Sequence, residues 1–491
     1  MISLSNLSRD VTSEASARLV YYLSSAAVIV FLSRQLEPSA YGTLFLAISV
    51  LTVFRLFSSL GLAKSAARYV SSYLGDDEGQ IRHVVVRSLR YNLLTITVVT
   101  GVAVAGAGPI AAALGNPALE PLLVVGGGYI VAATLYNYTR VVLQGFQEIG
   151  ASATVYASEG IGRVVGVLLL VTLGYGLFGA LVGFILGFVL AAVLGVWLLS
   201  RRLPARADTD PIEDGLERRL LRYSLPLAVT RGAWVLDREI DLILVGYLLE
   251  SAVVGYYAIS KQVVTFCSGM AGSIGFSLGP QFDESTVAES TAHARRTYET
   301  VLTYVLLVYV PAVAGLAILA DPVVTTVFGS AYRDAVPILQ VFCAAIVLMS
   351  ITELTEDILD YLGRANTRAV FKIATSVGNV VLSVLLIRSF GAVGAAVATV
   401  CMQAIYAGLC LYVVKSEIGL RSRHLLTQTG RILGITAVMS TVVVTLTQYV
   451  TGPLTIGATI LSGTAVWGLL AVMTGFVSPA SLGSLGRSEG N

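Results

Sequence analysis

Residues 36–46 read LEPSAYGTLFL and residues 249–259 read LESAVVGYYAI, so that Leu36-Glu37, Gly42 and Leu46 return as Leu249-Glu250, Gly255 and Ile259 at an offset of 213. Two further stretches repeat at nearly the same spacing. Ile161-Gly162 and Val164-Val165 match Val377-Gly378 and Val380-Val381 at 216, and Gly176 with Gly179-Ala180 matches Gly391 with Gly394-Ala395 at 215. Three matches at almost one offset mark a duplicated unit. The character of that unit follows from its surroundings.

Of the 491 residues, 55% are apolar and 13% charged, with a mean hydropathy of +0.79. Soluble domains carry about twice that share of charge. A bilayer span takes roughly 20 apolar residues, and fourteen such runs bounded by charge, Gly or Pro can be read along the chain. The first, Ala15 to Leu36, is followed at once by another and reads as a retained span, not a cleaved signal. The fifth, 152–173, is the weakest, with Glu159 and Arg163 near its start. The expected fold is therefore all-α: a polytopic membrane protein of about 14 transmembrane helices.

Positive charge orients these helices, because cytoplasmic loops carry the Lys/Arg excess. With the N-terminus inside, 25 of the 32 basic residues fall on the cytoplasmic side, Arg140 and Arg163 among them. Only Arg34, Arg333 and Arg388 fall outside, and Arg55, Arg231, Arg238 and Lys261 lie within spans. Both termini are thus expected in the cytoplasm of a plasma-membrane protein. The longest polar loop, 201–221, separates the sixth and seventh spans. It divides an N-terminal lobe of six helices (1–200) from a second (222–415), with two additional helices and a tail at 416–491. Six is an even number, so the repeat is parallel, and two such lobes enclose a cavity suited to alternating access.

Several functions are excluded. A net charge of +2 does not suit nucleic acid. Cys267, Cys343, Cys401 and Cys410 lie in apolar runs without paired spacing, far from His83, His293 and His424, so neither a metal site nor a cofactor is expected. Gly174, Gly176 and Gly179 spell a dinucleotide fingerprint but sit between two spans, with no strand to precede them, and read as a tight turn.

Ionisable residues within spans are costly unless they face protein, water or a partner. The seventh span concentrates them: Arg231, Asp237, Arg238, Glu239 and Asp241. Arg231 and Arg238 lie about 20° apart on a helix. Together with Arg55 and Lys261 they are candidates to line the cavity and hold an anionic group such as a lipid-linked phosphate, for which Arg offers a bidentate fork. The alternative is internal pairing of Arg238 with Asp237 or Asp241. Pro226 and Gly232 permit this span to kink. Glu353, Glu356, Asp357 and Asp360 share one face of the tenth span. Asp241, Glu353 and Asp357 are the candidates for coupling a cation or for a gate that breaks and forms with Arg364, Arg368 and Lys372, against a plain solvated helix end with local salt bridges.

The run Gly61-Leu62, Ser65-Ala66, Arg68-Tyr69 and the hairpin carrying Asp241, Leu244, Gly246, Gly255, Tyr257 and Ala258 resemble the polysaccharide-transporter flippases of the multidrug and oligosaccharidyl-lipid exporter superfamily. That resemblance implies a non-enzymatic flippase, with a lipid-linked sugar as cargo and membrane lipids and glycosyltransferases of the same pathway as partners. Lys occurs at only 64, 261, 372 and 415 against 28 Arg. Salt-loving prokaryotes favour that balance, which points to a dolichol-linked glycan for protein N-glycosylation. The competing expectations are a cation-coupled drug antiporter of the same fold, against which Glu14 and Glu37 bracket the first span without entering it, and a membrane glycosyltransferase or polymerase, for which the outside loops are too short.

Overall fold

The computed structural model describes residues 4–75, 77–203, 213, 215–268 and 291–476. Asp76, most of the linker, the end of the eighth expected span and the C-terminal tail lie outside these residues. The described residues form helices, with 17 α-helices and no strand among them. The chain clusters into two compact units, Met1–Ala258 and Ile259–Asn491.

The first unit contains α1 (Leu4–Gln35), α2 (Pro38–Ser59), α3 (Leu62–Tyr73), α4 (Glu78–Ala105), α5 (Ala107–Ala113), α6 (Leu119–Val125), α7 (Gly127–Gly145), α8 (Ile149–Leu170), α9 (Gly176–Ser200), α10 (Leu216–Leu248) and the start of α11 (Ser251–Ser268). Pro38 opens α2, where its missing N–H costs nothing. Leu60 and Gly61 then turn the chain through left-handed backbone into α3. That short helix buries Leu62, Ala66 and Val70 and exposes Lys64 and Arg68. The weakest expected span proves to be a full helix, α8, packed along α9. A Cβ on Gly166 would meet the Gly183 Cα at 3.1 Å, so the two backbones approach as small-xxx-small pairs allow.

The second unit contains the rest of α11, then α12 (Thr291–Ile318), α13 (Ala320–Val327), α14 (Val336–Tyr361), α15 (Ala365–Ile418), α16 (Ser422–Thr447) and α17 (Pro453–Met473). The two C-terminal helices dock on α12: Trp467 donates its indole N–H to the Leu307 carbonyl at 3.0 Å, and Met439 and Val443 pack with Leu319.

Among the described residues, nine helical stretches are long and apolar enough to cross a membrane, and ten if the bent pair α6–α7 counts as one span. Two of the nine, Ile149–Ser200 and Ala365–Ile418, run for 52 and 54 residues, enough for two passes each. Each is broken at a repeated glycine. Gly176 has φ 49° and ψ −127°, and Gly391 has φ 59° and ψ −144°. A side chain is strained in that region, so both copies need glycine there. Two added passes together with the bent pair, α10 and α11 are consistent with fourteen. Gly174 (φ 92°) completes the turn that the dinucleotide-like motif spells.

Candidate functional site

In the first unit, one face each of α2, α7 and α10 borders a narrow open cleft with room for about 30 Å³ of water. Thr52, Arg55, Leu56 and Ser59 recur on α2 at i, i+3, i+4 and i+7. Ala133, Thr134 and Asn137 come from α7, and Arg231 and Val235 from α10. Two of the four cations singled out in the sequence, Arg55 and Arg231, are therefore brought to one place. Among the described residues neither has a carboxylate within ion-pair distance; Arg55 lies 6.0 Å from the centre of the Tyr129 ring. Among the described residues, positive charge is thus gathered with no carboxylate in direct contact, which suits an anionic guest.

The cleft has a rigid wall. Ser58 shares a 2.6 Å hydrogen bond with Thr134, and its carbonyl accepts from Asn92 Nδ2 at 3.0 Å and from Thr95 Oγ1 at 2.6 Å. These bonds fix α2 against α4 and α7. On the α10 side, Ser49 donates to Glu239 at 2.7 Å, and Gly232 leaves room for Leu56. Glu239 is thereby engaged with α2 and not with the cleft cations.

The remaining candidates lie elsewhere. Arg238 is exposed, with its guanidinium 5.3 Å from the Trp234 ring centre, and does not line the cleft. Asp241 is buried, with 3% of its surface exposed. Lys261 is half-buried in the second unit. There, Glu356 accepts from Arg368 at 2.8 Å and from Tyr406 at 2.9 Å, and Asp360 pairs with the same arginine at 3.0 Å. Arg364 pairs instead with Glu417 at 2.7 Å, and Lys372 stands over Tyr406 at 5.0 Å. Glu353 is half-buried and Asp357 exposed on the same helix. No three His, Cys, Asp or Glu side chains converge on a metal-sized site among the described residues.

A second polar array, missed in the sequence, runs beside the cleft. Arg163 on α8 is buried, pairs with Glu159 at 3.5 Å, donates to Ser25 of α1 at 2.7 Å and stands 5.0 Å from the Tyr21 ring. Tyr21 stacks on Tyr156 at 4.5 Å, and Arg140 stands 4.3 Å from the Tyr156 ring centre. Arg140 reaches Glu14 at 3.5 Å, and Arg18 reaches the same carboxylate oxygen at 3.2 Å. The charge pattern groups Arg140 and Arg163 with the cytoplasmic loops; both lie in helices, and Arg163 is interior. The available signal was the i, i+4 pair Glu159–Arg163 inside an otherwise apolar run.

Comparison with known proteins bears on this arrangement. The family model described as polysaccharide biosynthesis protein matches residues 31–337. Among curated proteins, the chain is 22% identical over 405 residues to the probable low-salt glycan biosynthesis flippase Agl15 of Haloferax volcanii, covering 81% of each chain. Among solved structures it resembles the lipid II flippase MurJ in an inward closed conformation, with a TM-score of 0.77 at 14% identity, covering 95% of this chain and 98% of that one. It also resembles an inward-facing MATE multidrug resistance transporter of the MOP superfamily, with a TM-score of 0.67 at 17% identity over 82% and 98% of the two chains.

Proposed function

The chain belongs to the polysaccharide biosynthesis protein family, and on that premise we propose that it moves a lipid-linked sugar or oligosaccharide from the cytoplasmic to the outer leaflet. It is a multi-pass membrane protein, and in this proposal it carries out no covalent chemistry. The observation behind the proposal is the meeting of Arg55 and Arg231 on one cleft with no carboxylate within ion-pair distance among the described residues. Guanidiniums hold a phosphate in charge-assisted, bidentate hydrogen bonds, and a membrane interior makes those bonds count. The polar headgroup would sit in the cleft while the lipid tail stays in the bilayer.

The likeness to Agl15, a glycan biosynthesis flippase by name, supports a carrier and sugar of archaeal glycan assembly, in which a dolichyl phosphate bears the glycan and glycosyltransferases act before and after. Alternating access of two six-helix lobes, 1–200 and 222–415, supplies the movement, with 201–221 joining them and 416–491 added at the end. Lys261 and Arg238 serve the anion at other stages of the cycle, and Asp241, Glu353 and Asp357 serve coupling or gating. The glycan feeds surface-polymer assembly or protein N-glycosylation. Both termini lie in the cytoplasm.

Reconstitution in vesicles holding a fluorescent dolichyl-phosphate-linked sugar tests this. Wild-type protein is expected to expose the label to an external quencher far faster than empty vesicles. Arg55→Gln and Arg231→Gln should each slow it by roughly tenfold or more, the loss of one charge-assisted bond pair. Flipping no faster than in empty vesicles, or full rates in both cleft variants, would overturn the proposal.

A further inference from the structure

The two C-terminal helices lie outside the repeat, and the transport cycle proposed above gives them no task. Where α17 ends, Tyr304 of α12, Gln428 and Arg431 of α16, and Thr474, Gly475 and Phe476 line an open cleft in the second unit, with room for about 210 Å³ of water. That holds several waters at ~30 Å³ each, where the cleft at Arg55 and Arg231 has room for about 30 Å³. Gln428 and Arg431 are one turn apart on α16, so both can reach one guest. Thr474 directly follows the last residue of α17, which puts the cleft at the level where spans meet headgroups and where Tyr and Arg anchor them.

Charge at this end is one-sided. Helices α12, α16 and α17, with the Arg421 that precedes α16, carry five arginines, Arg295, Arg296, Arg421, Arg423 and Arg431, against the single carboxylate of Glu299. That carboxylate is taken: Arg421 donates its backbone N–H to it at 2.8 Å and its Nε at 3.0 Å. No Asp or Glu occurs from 418 to 476. Among the described residues the Arg431 guanidinium makes no ion pair and no hydrogen bond. The C-terminus of α17 brings roughly half a negative charge, and its last carbonyls are occupied in part, Ala471 by the Phe476 N–H at 3.0 Å and Val472 by that of Gly475 at 3.1 Å. A full guanidinium charge outweighs that half, so the cleft stays positive. The anion that a bilayer presents at this level is a lipid phosphate, and basic pockets between spans take anionic headgroups.

We propose that this cleft binds the headgroup of an anionic phospholipid from the surrounding leaflet. Arg431 holds the phosphate in a charge-assisted pair, and Gln428 and Tyr304 donate to its remaining oxygens. The lipid is a resident of the site and not the cargo. It bridges α12, α16 and α17 at the membrane surface, beyond the Trp467 bond to Leu307 that joins two of them deeper in.

Native mass spectrometry of the full-length protein, titrated in detergent with dioleoylphosphatidylglycerol and separately with dioleoylphosphatidylcholine, tests the site. Wild type is expected to take up one phosphatidylglycerol in preference to phosphatidylcholine. Arg431→Gln should weaken that uptake by roughly fivefold, the worth of one arginine at an anionic surface, and Arg431→Lys should restore part of it. Arg423→Gln removes the same charge from α16 outside the cleft and should cost less than about twofold. Tyr304→Phe removes one exposed hydroxyl, leaves the packing intact and should weaken uptake by about twofold. Equal losses in Arg431→Gln and Arg423→Gln would reduce the site to general surface attraction and overturn it, as would no preference for the anionic lipid or full uptake in both Arg431→Gln and Tyr304→Phe. An excess of inorganic phosphate should leave the lipid bound; displacement would make this a site for free phosphate and overturn the lipid assignment. Cargo does not enter the measurement, so the flippase proposal stands or falls apart from it.

Discussion

Glu159 and Arg163 share the interior of α8 one turn apart, with 0% and 7% of their surfaces exposed. Desolvating two charges is repaid only by close mutual contact and further hydrogen bonds. Here the contact is 3.5 Å, and Ser25 supplies one bond to the arginine. Breaking such a pair from one side strands the other charge. Glu159→Ala is therefore expected to destabilise the detergent-solubilised protein by about 3–5 kcal/mol, whereas Glu159→Leu/Arg163→Met should cost much less or stabilise it. Thermal unfolding of the two variants decides this; equal losses would show that the ionic contact itself carries stability. The cleft cations follow the opposite rule. Arg55 and Arg231 face open space, so their neutral variants should keep the fold and lose transport.

Helices α3, α4 and α10 meet at the end of the linker, where Glu213 is clasped from several sides. Its backbone N–H donates to Gln80 Oε1 at 3.2 Å, its carboxylate accepts from Tyr73 Oη, and Arg219 pairs with it at 2.7 Å. Hydrogen bonds from Arg219 and then Tyr73 hold this carboxyl below the usual glutamate range. Burial and the same carboxylate push the Tyr73 hydroxyl up. A depressed carboxyl stabilises the folded state above its unfolded pKa, about 4.3, and that contribution disappears as pH falls through the lower folded value. Amide hydrogen exchange at Glu213, corrected for its intrinsic rate, should accordingly stay protected at neutral pH and lose protection below about pH 4. Protection that does not change down to pH 3 would show that the clasp does not depend on the charge. The same element scale explains why α8 and α9 were legible as helices but not as a pair. Apolar periodicity marks each run, while the close passage at Gly166 and Gly183 depends on which faces meet.

Across the whole chain, the basic residues predict one topology. The turn at Gly115, between α5 and α6, should lie outside and Arg202, just past α9, inside. Single cysteines at these two positions in a background lacking the four native ones check this with a membrane-impermeant thiol reagent on intact cells. Labelling at position 115 and not at 202 is expected, and the reverse pattern would invert every loop.

What the sequence determined by itself was the helical membrane class and the repeat, down to the pair of glycines at 176 and 391 that end their helices in the same backbone conformation. Hydropathy acts within one segment, and a positive-φ turn needs glycine whatever surrounds it, so both are local and readable. The fifth span was doubtful because its two charges count against it segment by segment. Only the tertiary structure showed that Arg163 finds Ser25 and Tyr21 on α1, which makes the charge tolerable. It alone divided the four in-span cations, placing Arg55 and Arg231 on one cleft and Arg238 over Trp234, and it drew Arg140 and Glu14 to that neighbourhood. The physical reason is that a charge is paid for or put to use by what approaches from other helices, and that approach is fixed by packing and not by the order of residues along one of them.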